Sequence, residues 1–131
     1  MAGPASCRFA PPPDWPVAGV LWSGVCGAGL AQGRGTLRAY QGGRVVRSFY
    51  GDLKDGQLIL GVVEVPEAGF IAGRFQGGQA VDDGERNTIL LAFEAASAAA
   101  RELARGFRQA GNRASARFYE AKAAQLARQM D

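Results

Sequence analysis

The sequence predicts an α+β fold in which an antiparallel β-meander precedes an antiparallel two-helix hairpin. The first observation behind this prediction is the distribution of glycine: of 19 glycines among 131 residues, fifteen lie between Gly19 and Gly78, between short apolar runs. The second is an abrupt change beyond that region, where alanine and other helix-favouring residues dominate. We therefore divide the chain into a proline-rich arm (1–17), a β-sheet (18–81) and a helical hairpin (82–131).

The N-terminal arm carries Pro11, Pro12, Pro13 and Pro16 around Trp15. Proline fixes φ and has no amide hydrogen, so this segment favours an extended path over a helix. We expect the arm to cover the first edge of the sheet. Because Trp15 lies on the arm and not in a strand, it is also a candidate binding residue.

Glycine-containing turns separate the predicted strands of the meander. Glycine supplies the positive φ that tight hairpin turns require. Connections this short favour antiparallel neighbours. The predicted strands cover residues 20–26, 35–40, 45–52, 58–65, 70–75 and 79–81.

Two amphipathic patterns predict helices in the last part of the chain. Apolar side chains recur at alternating spacings of four and three on both sides of the turn sequence Ala110-Gly111-Asn112, so two helices should pack antiparallel along an alanine-rich seam. Asp82 and Glu85 resemble a capping box before the first helix. The predicted seam consists of Ile89, Phe93, Ala96, Ala100, Leu103, Phe107, Ala116, Tyr119, Ala123, Leu126 and Met130.

Composition and charge restrict the available chemistry. The chain has no histidine, which excludes histidine-dependent nucleophilic catalysis and most zinc, copper and non-haem iron sites. A net charge of +3 is too small to indicate nucleic acid, and the helical arginines lack interleaved aromatic residues for base stacking. We therefore expect no catalytic residues, no metal, no cofactor and no nucleic-acid partner.

Cys7 and Cys26 are the only cysteines. Two thiolates are too few for a metal site, and the spacing is not that of a redox dithiol. Their spacing leaves open both a disulfide, typical of an oxidising compartment, and two reduced thiols in the cytoplasm. The opening residues read as a mature secreted N-terminus behind an added Met, so we expect that an export signal has been removed.

The glycines also follow a repeat. If Trp22 is position one, glycines occupy positions three, eight, twelve and fourteen, and restarts at Phe49 and Ile71 keep positions three and eight. Intervals of 27 and 22 residues are typical of stacked repeat units. The residues that define the repeat are Trp22, Gly24, Gly29, Gly33, Gly35, Phe49, Gly51, Gly56, Gly73 and Gly78.

This pattern resembles the MORN-repeat family over about residues 20–80. The family unit reads aromatic, x, Gly, four residues, Gly, three residues, Gly, x, Gly. Residues 22–35 match every position, 49–56 match the first half, and Leu60-Gly61-Val62 stands where Gly-x-Gly should follow. The third unit, from Ile71, matches less well. The resemblance implies stacked hairpins in which each opening aromatic side chain packs under the next hairpin.

The resemblance also implies a setting. Bacterial envelope proteins of this type have a cysteine upstream of a Trp-x-Gly-x-Cys unit, similar to Cys7 and Cys26 here. The resemblance therefore implies a Cys7–Cys26 disulfide and a periplasmic or secreted protein, with a cytoplasmic one as the alternative.

Aromatic and arginine side chains are the candidate binding residues. Core packing accounts for most aromatic residues, but alternation places Tyr50 opposite Phe49, where it could form part of an exposed strip on the concave face of the sheet. Arginines at helical spacings form either a solvated stripe or a surface that docks to acidic groups. These arginines are Arg101, Arg105 and Arg108, extended by Arg113 and Arg117.

The sequence thus predicts a non-catalytic binding or scaffolding module of a bacterial envelope. It would recognise a protein partner or an anionic lipid surface through the concave face and the helical arginines. The alternative is an enzyme or enzyme inhibitor that acts on envelope polymers, with the carboxylates of residues 52–85 lining a cleft. A homodimer through the helices is a further option for its assembly.

Overall fold

The computed structural model describes residues 1–16 and 19–131. The boundary that we predicted between arm and sheet, at residues 17 and 18, lies outside the described residues. Two helices follow six strands, in the α+β order that the sequence predicts. The elements are β1 (Val20–Gly27), β2 (Leu30–Gln41), β3 (Arg44–Lys54), β4 (Gln57–Val65), β5 (Gly69–Gln76), β6 (Gln79–Val81), α1 (Arg86–Gln109) and α2 (Arg113–Arg128).

The six strands form one sheet in sequence order, and every neighbouring pair is antiparallel. The predicted meander is therefore confirmed. Strand β2 begins five residues before the predicted start at residue 35, because the glycine-rich stretch does not end the strand. Instead, Gly33 and Arg34 are extra residues between the pairs Gly24–Gly35 and Val25–Gln32, which makes this stretch a bulge.

A row of glycines crosses five strands on one face of the sheet. In the strand register, Gly24 pairs with Gly35, Gly35 with Gly51, Gly51 with Gly61, and Gly61 with Gly73. A Cβ atom on Gly24 or Gly35 would lie 2.4 Å from the Trp22 indole, and one on Gly61 would lie 2.8 Å from the Phe49 ring. The aromatic rings therefore lie directly on the backbone of this row, and larger residues there would displace them.

The second repeat is more regular in space than in sequence. Gly61 pairs with Gly51 just as Gly35 pairs with Gly24, although Gly61 is one position early in the repeat. The cause is the hairpin bulge, which holds one extra residue, Ile59, in the second unit and two in the first. The mismatch Leu60-Gly61-Val62 is therefore a one-residue shortening of the bulge.

The N-terminal arm runs across the ends of three hairpins. Our prediction that it covers the first edge of the sheet is wrong. The Arg8 amide donates to the Gly29 carbonyl, and the Ala10 amide donates to the Gly56 carbonyl. A Cβ atom on Gly78 would lie 2.9 Å from Pro13. The position-eight glycine of each repeat thus contacts the arm, because the turns after β1, β3 and β5 lie at the same end of the sheet.

The disulfide between Cys7 and Cys26 is formed. It joins the arm to the end of β1. Phe9 and Trp15, which follow it on the arm, belong to the same buried cluster as Leu37 and Phe49. The arm therefore covers the glycine-row face of the sheet, which we call the arm-covered face.

The helices cover the opposite face, which we call the helix-covered face. Helix α1 packs across β2, β3, β4 and β5, and α2 packs against α1. The Ser97 hydroxyl donates to the Ala123 carbonyl, and the rings of Phe107 and Tyr119 stack at 5.7 Å, so the helices are antiparallel as predicted. Most seam residues are buried or partly buried, but Ile89 is exposed.

The predicted capping box is wrong. The first helix begins after Glu85, whose side chain makes no capping bond. Asp83 instead accepts from the Glu85 amide and from the Thr88 hydroxyl, and Asp82 accepts from the Gly84 amide. The hydrogen bond from Thr88, followed by that from the Glu85 amide, lowers the pKa of Asp83.

Candidate functional site

Both faces of the sheet are covered by the chain itself, which changes the predicted sites. Tyr50 is 1% exposed and lies under the helices, so the prediction of an exposed aromatic strip on the sheet is wrong. Trp15 is 4% exposed and packs in the core of the arm-covered face. The disulfide and the hydrogen bonds to the hairpin turns hold the arm against the sheet. Trp15 still contributes to the wall of a groove of about 400 Å³ beside Ile71 and Phe75.

The helix-covered face carries an unusual number of polar side chains. Arg38 pairs across the strands with Ser48, and Ser48 with Glu64, so the three form one row beneath the helices. Thr36 and Tyr50 lie in the next row. Arg38, Ser48 and Thr36 are all buried. Polar groups that are buried without hydrogen-bond partners lower the stability of a fold.

Glu64, Lys122 and Tyr50 form one connected cluster. Lys122 Nζ lies 2.6 Å from Glu64 Oε2, with both side chains largely buried, and the Tyr50 hydroxyl donates to Glu64 Oε1 at 3.3 Å. Burial, followed by the negative charge of Glu64, raises the pKa of Tyr50 well above its ordinary value of 10. The cluster is thus a neutral tyrosine on a lysine–glutamate pair, and it joins α2 to β3 and β4.

Arg38 lies at the wall of a cleft between β1, β2 and α1. This Arg38 cleft has a volume of about 660 Å³. Arg38 Nη2 donates to Ser23 Oγ at 3.1 Å, but Nε is buried and has no hydrogen-bond partner. Within residues 1–16 and 19–131, no carboxylate forms an ion pair with Arg38. The cleft is lined by Ser23, Gly24, Val25, Arg34, Arg38, Glu102, Leu103, Gly106, Phe107 and Ala110.

Three aromatic rings surround the Arg38 guanidinium. Its central carbon lies 5.4 Å from the centroid of Phe107, 5.8 Å from Tyr40 and 5.9 Å from Tyr119. Ring faces attract a cation, so they offset part of the cost of burying it. Burial raises the pKa of Tyr119, and the positive charge of Arg38 opposes that rise.

The predicted helical arginines are all exposed. Arg105 pairs with Glu102 on the same helix, Arg108 pairs with Glu120 across the hairpin, and Arg101 donates to the Ser97 hydroxyl. For Arg113 and Arg117 no ion pair is found with the described residues. We call the surface formed by Arg101, Arg105, Arg108, Arg113 and Arg117 the arginine surface.

Five of the seven carboxylates in residues 52–85 have a hydrogen-bond or ion-pair partner among the described residues. Asp52 pairs with Arg34, Asp55 accepts from Gln32, and Glu64 pairs with Lys122. The hydrogen bond to Asp52 raises the pKa of Arg34. Asp82 and Asp83, which cap local amides, line a cavity of about 430 Å³ together with Glu85. Among the described residues, no group of three or more potential metal ligands is found.

Sequence reasoning missed Arg38 and the pair of Glu64 with Lys122. Alternation does place Arg38 opposite Leu37 and Ala39, on the same face as Thr36. That signal marks a polar face but cannot show that helices cover it. The 58-residue separation between Glu64 and Lys122 has no signature in one sequence.

Neither helix of the described chain is both long enough and apolar enough to cross a bilayer. No family model, curated protein or solved structure matched this chain at the significance required. The resemblance to MORN repeats therefore stays a prediction.

Proposed function

We propose that this protein is a non-catalytic binding module of a bacterial envelope, which docks to an acidic protein partner through the arginine surface. The observation that carries this proposal is the exposure of five arginines on the helical hairpin. The two sheet faces are covered by the chain's own arm and helices, so the outer side of the hairpin is the large surface left for a partner.

The charges on this surface are available to a partner. The ion pairs of Arg105 and Arg108 are solvent-exposed, and such pairs are worth at most about 1 kcal/mol. They can therefore be exchanged for pairs with a partner's carboxylates. Arginine is enriched at protein interfaces and among their energetic hot spots, which is why we propose a protein and not a lipid surface.

The disulfide supports an extracytoplasmic compartment. Disulfides persist in oxidising environments such as the periplasm and the exterior of cells, and the Cys7–Cys26 bond holds the arm in place. The local roles of the carboxylates between residues 52 and 85 favour binding over catalysis. For these reasons we prefer an extracytoplasmic binding module over the alternative of an enzyme or enzyme inhibitor.

The test compares two triple variants that change the net charge equally. R101E/R105E/R108E reverses part of the arginine surface, and R8E/R44E/R86E reverses three exposed arginines elsewhere. We expect the wild-type protein and the second variant to retain a protein from envelope extract in a salt-sensitive manner, and the first variant to lose it. Circular dichroism should show both variants folded.

Vesicles of phosphatidylglycerol serve as the second arm of this experiment. Retention on vesicles without capture of a protein would overturn the proposal in favour of a lipid surface. Equal loss of protein capture in both triple variants would show that net charge, and not the arginine surface, controls binding. No capture by the wild-type protein would also contradict the proposal.

A further inference from the structure

We propose that the Arg38 cleft is a second, independent binding site, and that it takes a monocarboxylate with an apolar body. Arg38 recognises the carboxylate. None of the five arginines of the arginine surface lines this cleft, although Arg105 pairs with Glu102 at its rim.

The buried Arg38 guanidinium lacks a hydrogen-bond acceptor for its Nε–H group. The residue is 7% exposed, and a buried guanidinium is costly unless an anion or hydrogen-bond acceptors compensate it. Of its donors, Nη2 reaches Ser23 Oγ, but Nε reaches no acceptor among the described residues. The aromatic rings attract the positive charge through their faces, but they do not replace an acceptor for the Nε–H group.

The other charged side chains of the cleft already form ion pairs. Arg34 is paired with Asp52, and Glu102 is paired with Arg105. Arg38 is thus the charge at this cleft that lacks an opposite partner within the described residues. One uncompensated positive charge fits a monoanion better than a phosphate dianion. Arginine also matches the planar, two-oxygen geometry of a carboxylate.

The walls of the cleft are mostly apolar. Val25, Leu103 and Phe107 supply apolar surface on the β1 and α1 sides. Ser23 Oγ accepts from Arg38, so its own hydrogen remains to be donated to an anion. A few convergent polar groups in a mostly apolar cleft are typical of small-molecule sites. The ligand is therefore an organic acid whose carboxylate contacts Arg38 and Ser23 and whose apolar body contacts the walls.

The experiment is a ligand titration followed by nuclear magnetic resonance of the full chain. The probes are benzoate, its neutral analogue benzamide, and inorganic phosphate. We expect benzoate to give saturable shifts of the Arg38 Nε–H signal and of backbone amides of residues 23–25 and 103–107. Benzamide and phosphate should bind at least ~10-fold more weakly, since a hydrogen bond to a charged group contributes more than one to a neutral group.

Three variants separate recognition by Arg38 from general effects. Arg38→Met keeps the length of the side chain and removes the charge, and we expect at least a ~10-fold loss of benzoate affinity. Arg44→Met removes an exposed arginine from the start of β3 and should leave the affinity unchanged. Gly106→Trp fills the cleft from α1, where an added Cβ meets no atom within 4 Å, and should prevent binding without altering Arg38.

Several results would overturn the proposal. These are the absence of saturable benzoate binding to the wild-type protein, equal binding by Arg38→Met, equal binding of benzamide, or tighter binding of phosphate. If Arg38→Met fails to fold, the Gly106→Trp variant decides alone, because its continued binding of benzoate would place the ligand elsewhere.

Discussion

The two faces of the sheet are built by different means. On the arm-covered face, the rings of Trp22 and Phe49 pack on the glycine backbone. An arm fixed by a disulfide covers them with further apolar side chains. On the helix-covered face, alanines of α1 lie above buried polar residues, including Arg38 and Tyr50. The difference shows that close apolar packing holds one face, whereas the other retains polar groups that packing alone does not require.

The largest effect that we expect comes from Phe49 on the arm-covered face. Phe49→Ala should lower the free energy of unfolding by about 3–5 kcal/mol. The ring lies over Gly51 and Gly61 and meets Phe75 edge to face at 5.4 Å. Glycines have no side chains that could fill the resulting cavity. Chemical denaturation measures the change.

Phe93→Ala is the matched substitution on the other face. Phe93 is 8% exposed and lies on a helix that can shift toward the sheet, so its loss should cost less than the loss of Phe49. A larger cost for Phe93→Ala would reverse our comparison of the two faces.

The second effect concerns the disulfide. The double variant C7S/C26S should lose about 3 kcal/mol of unfolding free energy, because the unfolded chain is no longer closed into a loop. We expect the arm to stay docked in the native state, since the amides of Arg8 and Ala10 donate to the hairpin turns. Thermal unfolding measures the loss of stability, and hydrogen exchange of these two amides measures whether the arm stays docked. Rapid exchange at Arg8 and Ala10 in the variant would show that the disulfide alone holds the arm.

The third effect tests the polar cluster of the helix-covered face. Lys122→Met should cost about 2 kcal/mol, which is less than the cost of breaking a fully buried pair because the Lys122 and Glu64 side chains retain some exposure. The double variant E64Q/K122M should recover most of the loss, since no buried charge is left unpaired. If the losses of Glu64→Gln and Lys122→Met simply add in the double variant, the two side chains are not coupled, and the ion pair makes no contribution of its own.

The fold was predictable because its signals are local. Glycine turns and short apolar runs define the meander, and alternating spacings of apolar residues define the two helices. The start of β2 was wrong because a glycine-rich bulge and a glycine turn have similar composition. The predicted position of the arm was wrong because one sequence does not show that three hairpin turns lie at the same end of a sheet.

The candidate site was predictable only in part. Exposure of the helical arginines follows from the amphipathic pattern, which places them beside the buried alanine seam and not within it. Burial of Tyr50 and Arg38 follows from the packing of α1 across the sheet, a contact between segments that are distant in sequence. Alternation identified the face to which Tyr50 belongs, but what covers that face is a property of the tertiary structure.

The smallest effect concerns Tyr50 and depends on pH. Tyr50→Phe should cost about 1 kcal/mol at neutral pH, because it removes the hydrogen bond to Glu64. Since the folded-state pKa of Tyr50 is raised above 10, its contribution is complete below pH 10 and is lost as the pH rises, when the unfolded chain releases the proton first. At about pH 11 the wild-type protein has therefore lost about 1.4 kcal/mol from this group, while Tyr50→Phe has lost none from it. The unfolding free energies of the two proteins should cross near that pH in urea titrations. Parallel profiles from pH 8 to 11 would show that Tyr50 ionises in the folded protein as easily as in the unfolded chain, and that the helix-covered face is open to solvent at this residue.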